Sequence, residues 1–423
     1  MRSRVALGAG LALAFSIGGV GCRPSAAPPL RSSVAVHDSA GIHIVQDTAA
    51  AWAPGQAWSV DSVLVDLGGA DGAFSGFANP ATMTRLRDGR IVVADAGLDL
   101  LIYFAGDGHF LYTVGSRGRA PGQFQSLWSV FRGAADSVVA YDIAASRATT
   151  FDPNGALVDT LTVPVPPGTN GYLPIDRSAV GTLTLLRNTT PVPFPGRAWS
   201  VAVDSGAVVR FSPTGVLIDS IGPFPVSELV GLPVPQAGGG TVMLPIDRPL
   251  GRKAAFVVQG DTVWATTGAT PSIDKYVGGR HTGIIRWPGS LTVVSASLVA
   301  EYKRRRERPG AGPVGIIDSV FNASLDSVPI SDYLPGTGRL LRDSRGDLWV
   351  QVGGLSDLAP GDASLHWNVL APDGSWLGQV TLPPRFAVQE IGTDYLLGSW
   401  LPDSGGAFHV RLYRLTKPVV GGA

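Results

Sequence analysis

Cysteine is almost missing from this chain: of 423 residues only Cys22 carries a thiol, so neither an intrachain disulfide nor a cysteine-based zinc site can form. Histidine at metal-binding spacing is missing as well. The six histidines (His37, His43, His109, His281, His366 and His409) never fall as H-x-x-x-H or H-E-x-x-H, which leaves a histidine metal site without local support. Glutamate occurs only at Glu228, Glu301, Glu307 and Glu390, so the acids are nearly all aspartate, a residue of turns more than of helices. Neither sign of charge is in excess. Lys+Arg 33 matches Asp+Glu 33, and with no net field a nucleic-acid partner is disfavoured. There is no G-x-S-x-G elbow for a hydrolase serine. The Gly238 to Gly240 run is flanked by strand-like segments and not by a helix start, which argues against a phosphate cradle.

What is present is a rhythm of short strands and turns. From Asn79 to Phe124 the chain reads as four strands: Thr82 to Leu86, then Asp88-Gly89, Arg90 to Ala94 ending on Asp95, Leu100 to Phe104, then Asp107-Gly108, and Phe110 to Val114. The pattern repeats with drift. Asp136 to Asp142 and Ala148 to Gly155 belong to a second unit, and Gly181 to Leu186 with Ala207 to Gly222 to a third. Ala254 to Gly289 gives a fourth, Gly338 to Leu382 a fifth and Phe386 to Leu415 a sixth. The expected fold is all-β: a six-bladed β-propeller of residues 41–417, closed by an N-terminal strand. Trp58 to Leu67 alternates and should pair with Phe408 to Leu415, removing the open edge of the last blade. A further strand, Gly41 to Gln46, should add to the outside of the ring.

One segment breaks the pattern. Ala296 to Arg308 has helix formers, an apolar Leu298 and Tyr302 pair at helical spacing, and a run of like charge. It predicts a short helical insertion over 296–323, between blades four and five, as either a solvated helix or a lid or docking helix that attracts an anionic group.

At the amino end, Arg2 and Arg4 precede an apolar stretch from Val5 to Val20, the plan of a secretory signal and short for a membrane span of about 20 residues. Gly19-Val20-Gly21-Cys22 resembles the lipobox of bacterial lipoproteins, which has Leu where this chain has Gly19; the resemblance implies a signal peptide over 1–22 and an acylated Cys22. Cleavage after Ser25-Ala26-Ala27 and a retained helix are the alternatives. Residues 23–40 then read as a tether, and the absence of Asp after Cys22 favours an outer-membrane lipoprotein facing the periplasm or the cell surface. The first repeat resembles the NHL family of propellers through Pro80, Asp88-Gly89, Val93-Ala94-Asp95, Phe104 with Gly108, and Gly122-Gln123-Phe124. The whole chain resembles bacterial six-bladed propeller lipoproteins, which implies fold and location but no reaction.

Ligands of propellers gather where second-to-third-strand loops and blade connections meet around the channel. The polar and aromatic residues expected there are Asp95, Asp142, Arg147, Arg197, Arg252, Trp128 and Trp199, with Asp99, Asp247 and Lys253 nearby. The leading expectation is a lipid-anchored envelope protein that binds a protein, peptide or glycan without catalysis and without a cofactor. The alternative is a metal-dependent hydrolase, lactonase or lyase, with a calcium-type ion held by several oxygens in the channel.

Overall fold

A computed structural model describes residues 34–53, 55–68, 74–167, 169, 171–189, 194, 196–236, 238–306, 316–353, 365–402 and 407–418. Cys22, the signal segment and most of the tether lie outside the described residues. Three strands precede the repeats: β1 (Val34–Ser39), β2 (Ile42–Asp47) and β3 (Ser59–Leu67). The first repeat is β4 (Pro80–Arg85), β5 (Ile91–Asp95), β6 (Leu100–Phe104) and β7 (Phe110–Val114). The second is β8 (Leu127–Arg132), β9 (Val138–Asp142), β10 (Arg147–Phe151) and β11 (Leu157–Thr162). The third has five strands: β12 (Tyr172–Arg177), β13 (Leu183–Asn188), β14 (Val201–Phe211), β15 (Leu217–Pro235) and β16 (Thr241–Asp247). The fourth is β17 (Ala255–Gln259), β18 (Thr262–Thr266), β19 (Ser272–Val277) and β20 (Arg280–Arg286), after which come helices α1 (Ala296–Arg306) and α2 (Ile316–Ala323). Then follow β21 (Thr337–Arg342), β22 (Leu348–Val352), β23 (Leu365–Leu370) and β24 (Trp376–Leu382), and finally β25 (Phe386–Ile391), β26 (Tyr395–Trp400) and β27 (His409–Thr416).

These strands form a β-propeller, with six sheets among the described residues. The first strands of the repeats contact one another in a cycle: β4 meets β8, β8 meets β12, β12 meets β17, β17 meets β21, β21 meets β25, and β25 returns to β4. Successive side chains of a strand point to opposite faces, and β5 and β9 are buried along their whole length, so the inner strands of these sheets bury both faces against neighbours. Val92 and Tyr103 pack on Val130 and Phe151 between the first two sheets, and Trp349 and Trp367 pack on Val388 and Leu396 between the last two.

The last sheet closes as expected. β3 runs antiparallel to β27, with Val65 opposite Leu412 and Leu67 opposite Val410. The early strand also joins the rim: β2 lies parallel to β20, with Ile44 opposite Ile284. Val34–Ser39, read from sequence as tether, is instead β1, hairpin partner of β2. Between these strands Ala51 and Trp52 donate to the carbonyls of Trp376 and Leu377 on β24, and a Cβ on Gly378 would run into the Trp52 ring. The amino-terminal segment therefore follows the outside of three successive sheets.

The third sheet departs most from the repeat. β14 and β15 continue past it as a ribbon, bending at β14 bulges between Asp204 and Val208, and β16 pairs only with the extension, Val230 opposite Ile246. At Gly206 a Cβ would press on the Arg187 carbonyl oxygen at 2.9 Å, so a larger residue would obstruct the bend. The predicted insertion is two helices packed on this ribbon. Tyr302, Phe321, Leu325 and Val328 join Val230, Leu232 and Val234 in a satellite core. Burying Phe321 alone contributes about 2–3 kcal/mol. Ser295 Oγ accepts from Leu298 N at 3.3 Å to cap α1. The run of positive charge is partly neutralised, Lys303 by Asp326 at 2.6 Å, Arg304 by Glu301 and Arg306 by Asp318 at 3.4 Å.

Candidate functional site

Strand alternation gives the ring two unlike faces. Second-to-third-strand loops and blade connections share one, the loop face; the hairpins within each repeat share the other, the hairpin face. Asp95 ends β5 on the loop face and is fully buried. Its carboxylate accepts from four backbone N–H groups: Ala78 at 2.8 Å, Asn79 at 3.0 Å, Gly97 at 2.9 Å and Leu98 at 3.1 Å. Asp142 repeats the device one blade on, accepting from Gln125 at 2.7 Å, Ser126 at 3.3 Å and Ala145 at 3.1 Å. Both pin a blade connection to a strand end, and Asp142 Oδ2 also faces Arg147 Nη2 at 4.0 Å. Asp99, also buried, accepts from Leu127 N at 3.0 Å and from Arg117 Nε at 2.8 Å. Arg147 is a clamp as well, its guanidinium donating to the carbonyls of Arg119 at 3.0 Å and Gln123 at 2.5 Å. Trp128 is 45% exposed on β8.

Arg197, Trp199 and Arg252 fall beside the ribbon. The Arg197 carbonyl accepts from Ser200 N at 2.9 Å, and Trp199 N donates to the Gly231 carbonyl at 2.9 Å, which lays this turn along β15 with the Trp199 ring against the satellite core. Arg252 Nε donates to Glu228 Oε1 at 2.8 Å, and Arg248 Nη1 to Glu228 Oε2 at 3.2 Å. Arg248 also donates to the carbonyls of Pro329 at 3.2 Å and Ile330 at 2.8 Å, so one buried glutamate and one arginine tie ribbon to insertion. Lys253 pairs with Asp247 at 2.9 Å.

Beneath the helices this arrangement leaves a cavity of about 660 Å³ that is open to solvent on one side. Ile246 and Leu229 come from the ribbon, Arg248 and Lys253 from the connection into β17, and Tyr302, Arg306 and Phe321 from the insertion. The size falls within the roughly 300–1,000 Å³ of small-ligand sites. Sequence reading picks Asp247, Arg252 and Lys253 near it, but not Glu228, Arg248 or the helical wall. The isolated Glu228 in a chain so poor in glutamate was the available signal.

The hairpin face holds a second polar feature that sequence reading passes over. In four repeats the first strand ends in arginine before a five-residue turn: Arg85 opposite Ile91, Arg132 opposite Val138, Arg177 opposite Leu183 and Arg342 opposite Leu348. The first two tie neighbouring blades. Arg132 Nη1 donates to the Arg85 carbonyl at 2.9 Å, and the Arg85 guanidinium lies over the Tyr395 ring at 4.8 Å. Glu390 accepts from Thr84 Oγ1 and from Tyr395 OH, each at 2.5 Å. Burial, then the Glu390 charge, pushes the Tyr395 phenol well above its ordinary range. Asp176 rises to about 6 because burial outweighs the pull of Arg342.

Comparisons with known proteins find only remote likenesses. No family model matches the chain, and none of the curated proteins does. Among solved structures it is similar to a Bacteroides fragilis protein described as exported, at 13% identity and TM-score 0.47 over 89% of this chain and 99% of that one. A DUF4221 member from Bacteroides vulgatus gives 9% identity and TM-score 0.49 over 85% and 98%. Virginiamycin B lyase from Staphylococcus aureus gives 10% identity and TM-score 0.39 over 84% and 99%. Similarity this low carries no activity across.

Proposed function

We propose that the chain is an exported propeller of six blades, held at the outer membrane by a lipid on Cys22, that binds a protein, peptide or glycan at its loop face and catalyses no reaction. The observation that carries this reading is the cavity of about 660 Å³ where the ribbon and the insertion meet on that face. A walled pocket built from residues outside the repeat is what a binding module adds to a closed scaffold. The lipobox-like Gly19-Val20-Gly21-Cys22 supports the anchor. The main-chain engagement of Asp95 and Asp142 leaves those two carboxylates committed to architecture, which weakens the rival reading of a metal-dependent hydrolase, lactonase or lyase built on them.

A single binding experiment with two arms tests it. Purified protein and an Ile246→Trp variant, which pushes an indole into the cavity, are titrated with a defined panel of peptides and oligosaccharides, with thermal melts confirming that both are folded. Binding that the variant loses at least tenfold is expected. Hits that the variant leaves unchanged would move the ligand elsewhere, and turnover of a bound ligand would overturn the non-catalytic reading. In the second arm, Cys22→Ser should shift the protein from the membrane to the soluble fraction.

A further inference from the structure

The cavity is apolar on one side and charged on the other. Leu229, Ile246, Tyr302 and Phe321 supply the carbon surface, and Lys253 and Arg306 stand at its rim. Among the described residues that line or brace it, four cations (Arg248, Arg252, Lys253, Arg306) pair with three carboxylates (Glu228, Asp247, Asp318). These charges are not equally free to exchange. Arg248 holds Glu228 and two carbonyls across the ribbon-to-insertion junction, and side-chain exposure there is only 16% and 10%. The rim pairs are open to water: 53% and 53% for Lys253 and Asp247, 39% and 60% for Arg306 and Asp318. Exposed pairs contribute little and are readily replaced by another anion. The Arg306 guanidinium also lies over the Phe321 ring at 4.7 Å, which sets positive charge directly above the apolar floor.

We infer that the ligand of this cavity carries a carboxylate next to an apolar group, as at the end of a peptide whose last residue is apolar. This rests on the binding reading above and names the chemistry of that site. The carboxylate replaces Asp318 at Arg306, while the side group covers Tyr302 and Phe321. Charge-assisted bonds to guanidinium give the end its orientation.

The test compares N-acetyl-Leu-Phe with its C-terminal amide by calorimetric titration at low salt, with 3-phenylpropionate as a non-peptide acid. The dipeptide acid should bind about tenfold tighter than the amide. Arg306→Gln should bring the acid down to the amide, and Asp318→Asn, which removes the internal competitor, should tighten the acid about two- to threefold. Phenylpropionate binding as well as the dipeptide would support the carboxylate and assign it to free amphiphilic acids. Equal binding of acid and amide overturns the inference while the pocket stands. Failure of both probes, with other panel ligands still lost in Ile246→Trp, also overturns it; a panel wholly insensitive to Ile246→Trp instead sinks the binding reading itself.

Discussion

Asp95 and Glu228 are both buried acids on the loop face, and the chain holds them in opposite ways. Asp95 ends on four main-chain N–H groups inside a regular blade. Glu228 ends on two arginine side chains where the repeat is interrupted. A carboxylate bound by main chain fixes a loop; one bound by long cations joins parts that the repeat does not define. Regular blades thus consume their polar residues in architecture, and the irregular sector carries what remains.

The sharpest way to break that contrast is Asp95→Ala. It strands several buried donors at once, and a loss of roughly 3–5 kcal/mol in denaturant unfolding is expected. A loss under 1 kcal/mol would remove the architectural role. The fifth repeat tests an intermediate case. Asp347 is 5% exposed, and burial followed by the charge of Asp343 raises it to about 6, against the pull of Arg345 and Lys417. An acid whose folded value lies above its unfolded one contributes stability while protonated and loses it as pH rises from about 4 to about 6. Asp347→Asn should therefore be more stable than the parent above pH 6, by up to roughly 3 kcal/mol, with the difference fading below pH 4. A pH-independent difference would contradict this. The smallest effect belongs to Asp318→Ala at the exposed rim, where melting should stay within about 0.5 kcal/mol of the parent.

The ring itself was largely legible. Alternation in WSVDSVLVDL and in Phe408 to Leu415 foretells the closing pair β3 and β27, and D-G turns mark the hairpins of the first blade. The ribbon was not legible, because Pro223, Pro225, Pro233, Pro235 and Pro245 argue against strands, and such residues are tolerated only at bulges and edges. β12 hides for the same reason, with Pro174 at its bulge. The helix of the insertion could be read, but not its cover, since its partner strands were unseen. Asp95 and Asp142 were chosen as binding residues because a local pattern cannot show that their donors include main chain 16 or 17 positions upstream. Arg252, Lys253 and Asp247 fall beside the cavity because breaks in a repeat are visible even when their shape is not.

The amino-terminal strands seat themselves on sheets made from the second half of the chain, and the ring is completed only when β3 meets β27. During translation those early strands leave the ribosome long before their partners exist. The polypeptide must then wait, unfinished, until nearly its whole length is available.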